Sequence, residues 1–158
     1  MKRKIAIFLS LFLSLMCVLC LVSCGDEGNN GGGTNTGSGS VEESKLVCSL
    51  LESTPARVVI SVTETDGKAT VLDCMEYLKG REENFTYEIA NGMITSINGV
   101  ENPADFSRCW MIYTSDAEMA NASWTTEYNG ETLGSAIVGA ETLDVIAGGI
   151  YVWDYVSF

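Results

Sequence analysis

The sequence contains no histidine, and this absence excludes several kinds of catalytic site. Nucleophilic hydrolases commonly pair serine or cysteine with an imidazole base, and most zinc sites include imidazole ligands. The spacing of a calcium-binding loop is also missing. Paired carboxylates, as in glycoside hydrolases, are the remaining enzymatic alternative, but no motif points to them. We therefore expect a protein that is not an enzyme, has no metal site and requires no cofactor.

Basic residues are scarce as well. The chain has 9 lysines and arginines against 21 aspartates and glutamates, which gives a net charge of −12. Such a surface repels the phosphates of nucleic acids and of anionic lipids. We therefore expect no nucleic-acid partner.

The N-terminus has the pattern of an export signal. Lys2, Arg3 and Lys4 precede an apolar run from Ile5 to Val22, and Cys24 follows Leu-Val-Ser. Leu21-Val22-Ser23-Cys24 resembles the bacterial lipobox, in which the cysteine is lipidated and becomes the first residue of the mature protein. An uncleaved membrane helix is the alternative, because the run is just long enough to span a bilayer. The resemblance implies a signal peptide over residues 1–23, lipidation of Cys24 and an extracytoplasmic, membrane-anchored protein.

The next segment has too few apolar side chains to form part of a hydrophobic core. Residues 24–44 comprise the cysteine and a stretch rich in glycine, serine and asparagine, which is typical of a flexible linker. Residues 45–158 follow as one domain without internal repeats. Only two prolines occur, Pro55 and Pro103, and both fit loops.

Cysteine is too rare in the mature domain to form a disulfide framework. Cys48, Cys74 and Cys109 remain after the signal and the lipidated residue are set aside, and this number is odd. One bridge can form, and we suggest Cys74 with Cys109. Three buried thiols that behave as small apolar groups are an equal alternative.

The domain shows the patterns of strands and of one helix. Apolar and β-branched runs predict strands over 46–51, 57–63, 85–90, 93–97, 109–113 and 150–157. Val71, Met75 and Leu78 share one face at helical spacing, with Thr70 as the cap and Gly80 as the end of a helix. Asn91-Gly92 and Asn98-Gly99 are typical of tight hairpin turns. We expect an α+β domain of mostly antiparallel strands with one helix packed on the sheet.

The aromatic residues are the candidate ligand contacts. Tyr151, Trp153 and Tyr155 alternate along the last strand and share one face, while Val152 lies on the other face and Asp154 interrupts its apolar pattern. A strand buried on both sides explains this pattern. An exposed aromatic platform is the alternative. The long polar segment from Thr114 to Ser135 shows no clear periodicity and is expected to carry ligand loops. The candidate binding residues are Trp110, Tyr113, Trp124, Tyr128 and Trp153.

Four short motifs, taken together, resemble one protein family. The stretches at residues 70–75, 92–100, 109–113 and 148–155 are similar, in order and spacing, to the transcobalamin-like C-terminal domain. The resemblance implies a β-grasp-like fold and a surface lipoprotein. In the vertebrate vitamin B12 carriers, the similar domain covers one side of bound cobalamin, and a helical barrel covers the other. The barrel is missing here, and the segment from Thr114 to Ser135 replaces a short motif of the family.

Two functions follow as hypotheses. The resemblance and the aromatic residues suggest a tethered protein that captures cobalamin or another corrinoid. The alternative is a surface module that binds an envelope protein or a cell-wall polymer without a small-molecule ligand.

Overall fold

A computed structural model describes residues 45–158 of the chain. The predicted signal peptide, the lipidated Cys24 and the linker lie outside these residues. The described elements are β1 (Leu46–Ser53), β2 (Arg57–Thr65), α1 (Val71–Lys79), β3 (Tyr87–Ala90), β4 (Met93–Ile97), β5 (Val100–Glu101), β6 (Arg108–Thr114), β7 (Ala120–Tyr128), β8 (Glu131–Ala136) and β9 (Ile150–Ser157). No helix among them is long and apolar enough to cross a membrane.

The strands form two antiparallel sheets. A six-stranded sheet has the order β1-β2-β9-β6-β8-β7, and a small sheet has the order β3-β4-β5. With α1 as the single α-helix of the described part, the predicted class of mostly antiparallel strands with one helix is confirmed.

Local sequence signals determine the helix and the tight turns. Thr70 caps α1, because its hydroxyl accepts from the Asp73 N–H at 3.3 Å while the Asp73 carboxylate accepts from the Thr70 N–H at 2.8 Å. The apolar face of α1 packs into the core through Val71, Cys74, Met75 and Leu78. Three hairpins turn at Asn-Gly pairs, at 91–92, 98–99 and 129–130, with positive φ at both residues of each pair.

The last strand is central and is buried on both faces. β9 pairs with β2 on one side and with β6 on the other. Tyr151 and Trp153 enter the main core below α1, and Val152 enters a smaller core on the opposite face. The buried alternative for β9 is therefore confirmed, and β9 does not form an exposed aromatic platform.

The polar segment from Thr114 to Ser135 differs from the expectation of ligand loops. Most of it forms the β7–β8 hairpin. β8 pairs with β6 only through Ser135 and Gly134, and the rest of the hairpin crosses the face opposite α1. Leu133 then closes the smaller core against Val59 and Val152. The polar composition gave no strand pattern here because all nine residues of β7 are exposed or half-exposed.

Gly134 lies where the hairpin leaves the sheet, and only glycine fits there. A Cβ atom at this position would lie 2.9 Å from the Ala120 Cβ and 2.9 Å from the Asn121 carbonyl oxygen. The close approach of the two strands therefore requires a residue without a side chain.

An ion pair fastens the crossing hairpin to the central strands. Asp154 accepts from the Arg57 Nε at 2.6 Å and from Nη2 at 2.8 Å, which is a bidentate pair between β9 and β2. Thr126 of β7 donates to the same carboxylate at 2.6 Å and accepts from Arg57 at 2.8 Å. The Asp154 that interrupts the apolar pattern of β9 is thus the point where three strands meet.

The three described cysteines are free thiols, and the suggested bridge between Cys74 and Cys109 is not formed. Cys74 lies in the main core on α1. Cys109 alternates on β6 with Trp110, a residue of that core, and its side chain therefore points to the other face. The sheet separates the two thiols.

Asp154→Ala is expected to lower the free energy of unfolding by about 3 kcal/mol, because it leaves a partly buried guanidinium without its partner. Urea unfolding of both chains measures the difference. Glu64→Ala is the matched control, since its pair with Lys45 is exposed at 69% and 47% and should contribute less than about 1 kcal/mol. Equal losses in the two variants would contradict the role assigned to the Arg57–Asp154 pair.

Candidate functional site

A cleft opens between the tip of the β3–β4 hairpin and the main sheet. Its volume is about 310 Å³, at the lower end of the range for small-molecule pockets. It is lined by Gly92, Met93, Ile94, Trp110, Met111, Ile112, Ala136, Gly139, Ala140 and Trp153. None of these side chains is charged, so the cleft favours a neutral and largely apolar ligand.

One wall of the cleft is held in place by backbone hydrogen bonds to α1. The connection from β8 to β9 carries Gly139 and Ala140, and the Ala140 carbonyl accepts from the Leu72 N–H at 3.0 Å. The Leu143 carbonyl likewise accepts a hydrogen bond from the Val71 N–H at 2.9 Å. These bonds use amide groups of the first helical turn, which have no partner within the helix. The wall is therefore fixed before any ligand arrives.

Trp110 and Trp153 are both buried beside the cleft, but their indole groups differ. The Trp110 Nε1 donates to the Val100 carbonyl at 2.8 Å, and its ring lies 5.3 Å from the ring of Tyr155. The Trp153 Nε1 is buried and has no hydrogen-bond partner. A buried donor without an acceptor costs about 1–3 kcal/mol. The Trp153 indole is thus an unsatisfied buried donor in a residue that also lines the cleft.

The five predicted binding residues do not form one surface. Trp110 and Trp153 line the cleft. Tyr113 and Tyr128 belong to the smaller core on the opposite face, where burial raises the pKa of the Tyr113 hydroxyl. Trp124 lies on β7, is 49% exposed and contacts the ring of Phe158 at 5.8 Å between centroids. Two of the five predicted residues thus line the cleft, and the structure places the other three elsewhere.

Several cleft residues have no signal in the sequence. Met93 follows a predicted turn, but nothing indicated that this turn would meet Gly139 and Ala140 from a connection without periodicity. Small residues at 136, 139 and 140 leave the space that forms the cleft. That these small residues border a cleft can be recognised only when the topology is known.

Between residues 45 and 158, no group of three or more cysteines, aspartates or glutamates is placed to hold an ion.

Comparisons with models of known protein families, with curated proteins and with solved structures return no match for this chain. The resemblance to the transcobalamin-like domain stays a prediction from the motifs.

Trp110→Phe should lower the free energy of unfolding by about 1 kcal/mol more than Trp153→Phe. Both changes remove the same part of a buried ring, but only Trp110 loses a hydrogen bond. Trp153→Phe also removes a donor that burial leaves unsatisfied. Chemical unfolding without added ligand measures both values, and a larger loss for Trp153→Phe would show that its indole has an acceptor.

Proposed function

We propose that this chain is an extracytoplasmic lipoprotein whose folded domain binds a small neutral ligand in the cleft beside Trp153. The membrane is its partner through lipidated Cys24. The observation that carries the binding role is the buried, unpartnered Trp153 N–H beside an uncharged cleft of about 310 Å³. The role is binding without catalysis, and it requires no cofactor.

The ligand class we propose is cobalamin or another corrinoid. The motif resemblance suggests it, and the chemistry of the cleft is compatible with it. A corrinoid is far larger than the cleft, so only an edge or a side group enters. The rim of a corrinoid carries neutral amides, and an amide oxygen is the acceptor that the Trp153 indole lacks. A separate partner would cover the opposite side of the ligand.

The finer fold assignment belongs to the same proposal. A β-grasp-like arrangement is supported by a helix that packs on an antiparallel sheet, with its apolar face toward β1, β2 and β9. In this arrangement the β3–β4 hairpin stands beside the sheet and forms one lip of the cleft.

Gly139→Leu should abolish the response of tryptophan fluorescence to cobalamin. A Cβ atom at Gly139 makes only an ordinary contact, 3.5 Å from the Gly92 carbonyl oxygen, so the backbone accepts the change. The longer side chain then fills the cleft. The measurement is a cobalamin titration, corrected for absorbance by the ligand and extended to millimolar concentration.

The controls separate the cleft from the rest of the surface. Ala122→Leu on exposed β7 introduces the same side chain away from the cleft and should leave the response unchanged. Trp124→Phe removes the exposed fluorophore and should preserve the change at Trp110 and Trp153. An unmodified chain that gives no response at millimolar cobalamin would end the corrinoid proposal.

A second candidate function rests on the exposed aromatic pair. Trp124 and Phe158 are 49% and 66% exposed and contact each other, which suits recognition of an envelope protein or a cell-wall polymer. Aromatic side chains give a large contact area with little loss of conformational entropy.

Trp124→Ala should reduce retention of the chain on purified cell-wall polymer by about tenfold, because a central aromatic contact is commonly worth 1–2 kcal/mol. Sedimentation with the polymer measures retention. Gly139→Leu is the control for this surface and should bind the polymer normally. Equal retention of the Trp124→Ala variant and the unmodified chain would remove this candidate.

A further inference from the structure

Two buried thiols meet where the edge strand β1 packs on the helix. Cys48 of β1 is 5% exposed and Cys74 of α1 is fully buried. The Cys48 Sγ lies 3.7 Å from the Cys74 carbonyl oxygen and donates to it. The two side chains are therefore neighbours inside the main core.

The fold directs both thiols to this place. The pairing of β1 with β2 shifts between Val47 and Cys48, where the partners change from Glu64 to Val62. Such a β-bulge re-aims the side chain beside it. Cys74 lies on the apolar face of α1 with Met75. Cys109 lies on the other side of the sheet and therefore cannot form a disulfide with Cys48 or Cys74.

The electrostatic surroundings make the two thiols unequal. A hydrogen bond from the Cys74 thiol to the Cys48 sulfur lowers the pKa of the Cys48 thiol, against the effect of burial, and the positive charge of Arg81 lowers it further. The same hydrogen bond and burial raise the pKa of Cys74. Cys48 is therefore the thiol that reaches the reactive thiolate form first.

We propose that Cys48 and Cys74 are a disulfide site that ties the edge strand β1 to α1. The oxidant is a disulfide compound, such as oxidised glutathione or the disulfide of a thiol oxidase. The Cys48 thiolate attacks one sulfur of the oxidant and releases one thiolate. The Cys74 thiol then loses its proton, attacks the Cys48 sulfur of the mixed disulfide and releases the second thiolate. The protein loses two protons and two electrons, and the oxidant is reduced to two thiols.

The position of the bridge gives it a mechanical consequence. Among the strands of residues 45–158, β1 has a neighbour on only one side, and it is the first of them in the sequence. In a chain anchored through its N-terminus, any pull from the membrane reaches β1 first. A covalent tie to α1 would prevent β1 from separating from β2 under that load.

Peptide mapping of the full chain tests the site directly. Trypsin cleaves after Lys45, Arg57, Lys68 and Lys79, which places Cys48 on peptide 46–57 and Cys74 on peptide 69–79. Cys109 and the N-terminal cysteines fall on other peptides. The folded chain is incubated with oxidised glutathione, alkylated in denaturant, digested and analysed by mass spectrometry. We expect peptides 46–57 and 69–79 to be linked, in the unmodified chain and in Cys109→Ala alike.

Thermal unfolding supplies a second measurement that does not depend on digestion. The oxidised chain should unfold about 10 °C higher than the reduced chain, because the bridge closes the loop from 48 to 74. Cys109→Ala should keep this difference, and Cys48→Ala should lose it. A Cys74–Cys109 linkage, or alkylation of both Cys48 and Cys74 after oxidation, would overturn the proposal.

Discussion

The burial of β9 on both faces is the constraint on which the rest of this structure depends. A strand between two neighbours with apolar residues on both sides needs one cover above the sheet and another below it. On one side, α1 and the connection from β8 to β9 enclose Tyr151 and Trp153. On the other side, the β7–β8 hairpin folds back and places Leu133 against Val152. Asp154 is the polar exception, and Arg57 and Thr126 satisfy it while they hold the second cover in place.

Features with a local physical cause could be predicted from the sequence. The cap at Thr70, the Asn-Gly pairs at 91–92 and 98–99 and the alternation along β9 each act over a few residues, and each is found in the structure. The β7–β8 hairpin could not be predicted, because its outer face is polar and its inner face offers mainly Leu133 and Tyr128 to a small core. Its position depends on Arg57, about seventy residues away in the sequence, and no local pattern contains such a contact.

The cleft escaped prediction for a related reason. Trp110 and Trp153 could be identified as candidates because large aromatic residues are conspicuous in a sequence. The space beside them exists because Ala136, Gly139 and Ala140 are small. A small residue in a sequence does not indicate whether a cavity lies next to it. Which aromatic residue faces a cavity, a core or solvent is decided by the cover that each sheet face receives. The five candidate residues therefore lie at three locations, because the two faces of the sheet are covered by different elements.

Trp110 and Trp153 differ in the hydrogen bonding of their indole N–H groups, although their surroundings are similar. Both are tryptophans on neighbouring central strands, both are almost fully buried, and both border the same cleft. The fold supplies the Trp110 indole with the Val100 carbonyl, which shows that a buried indole can find a backbone acceptor here. The Trp153 indole has none, and the resulting cost of about 1–3 kcal/mol is a sizeable part of the stability of a small domain. A phenylalanine at this position would avoid that cost. If the domain binds a ligand as proposed, an acceptor oxygen placed at this N–H would offset the cost, because the hydrogen bond would form away from competing water.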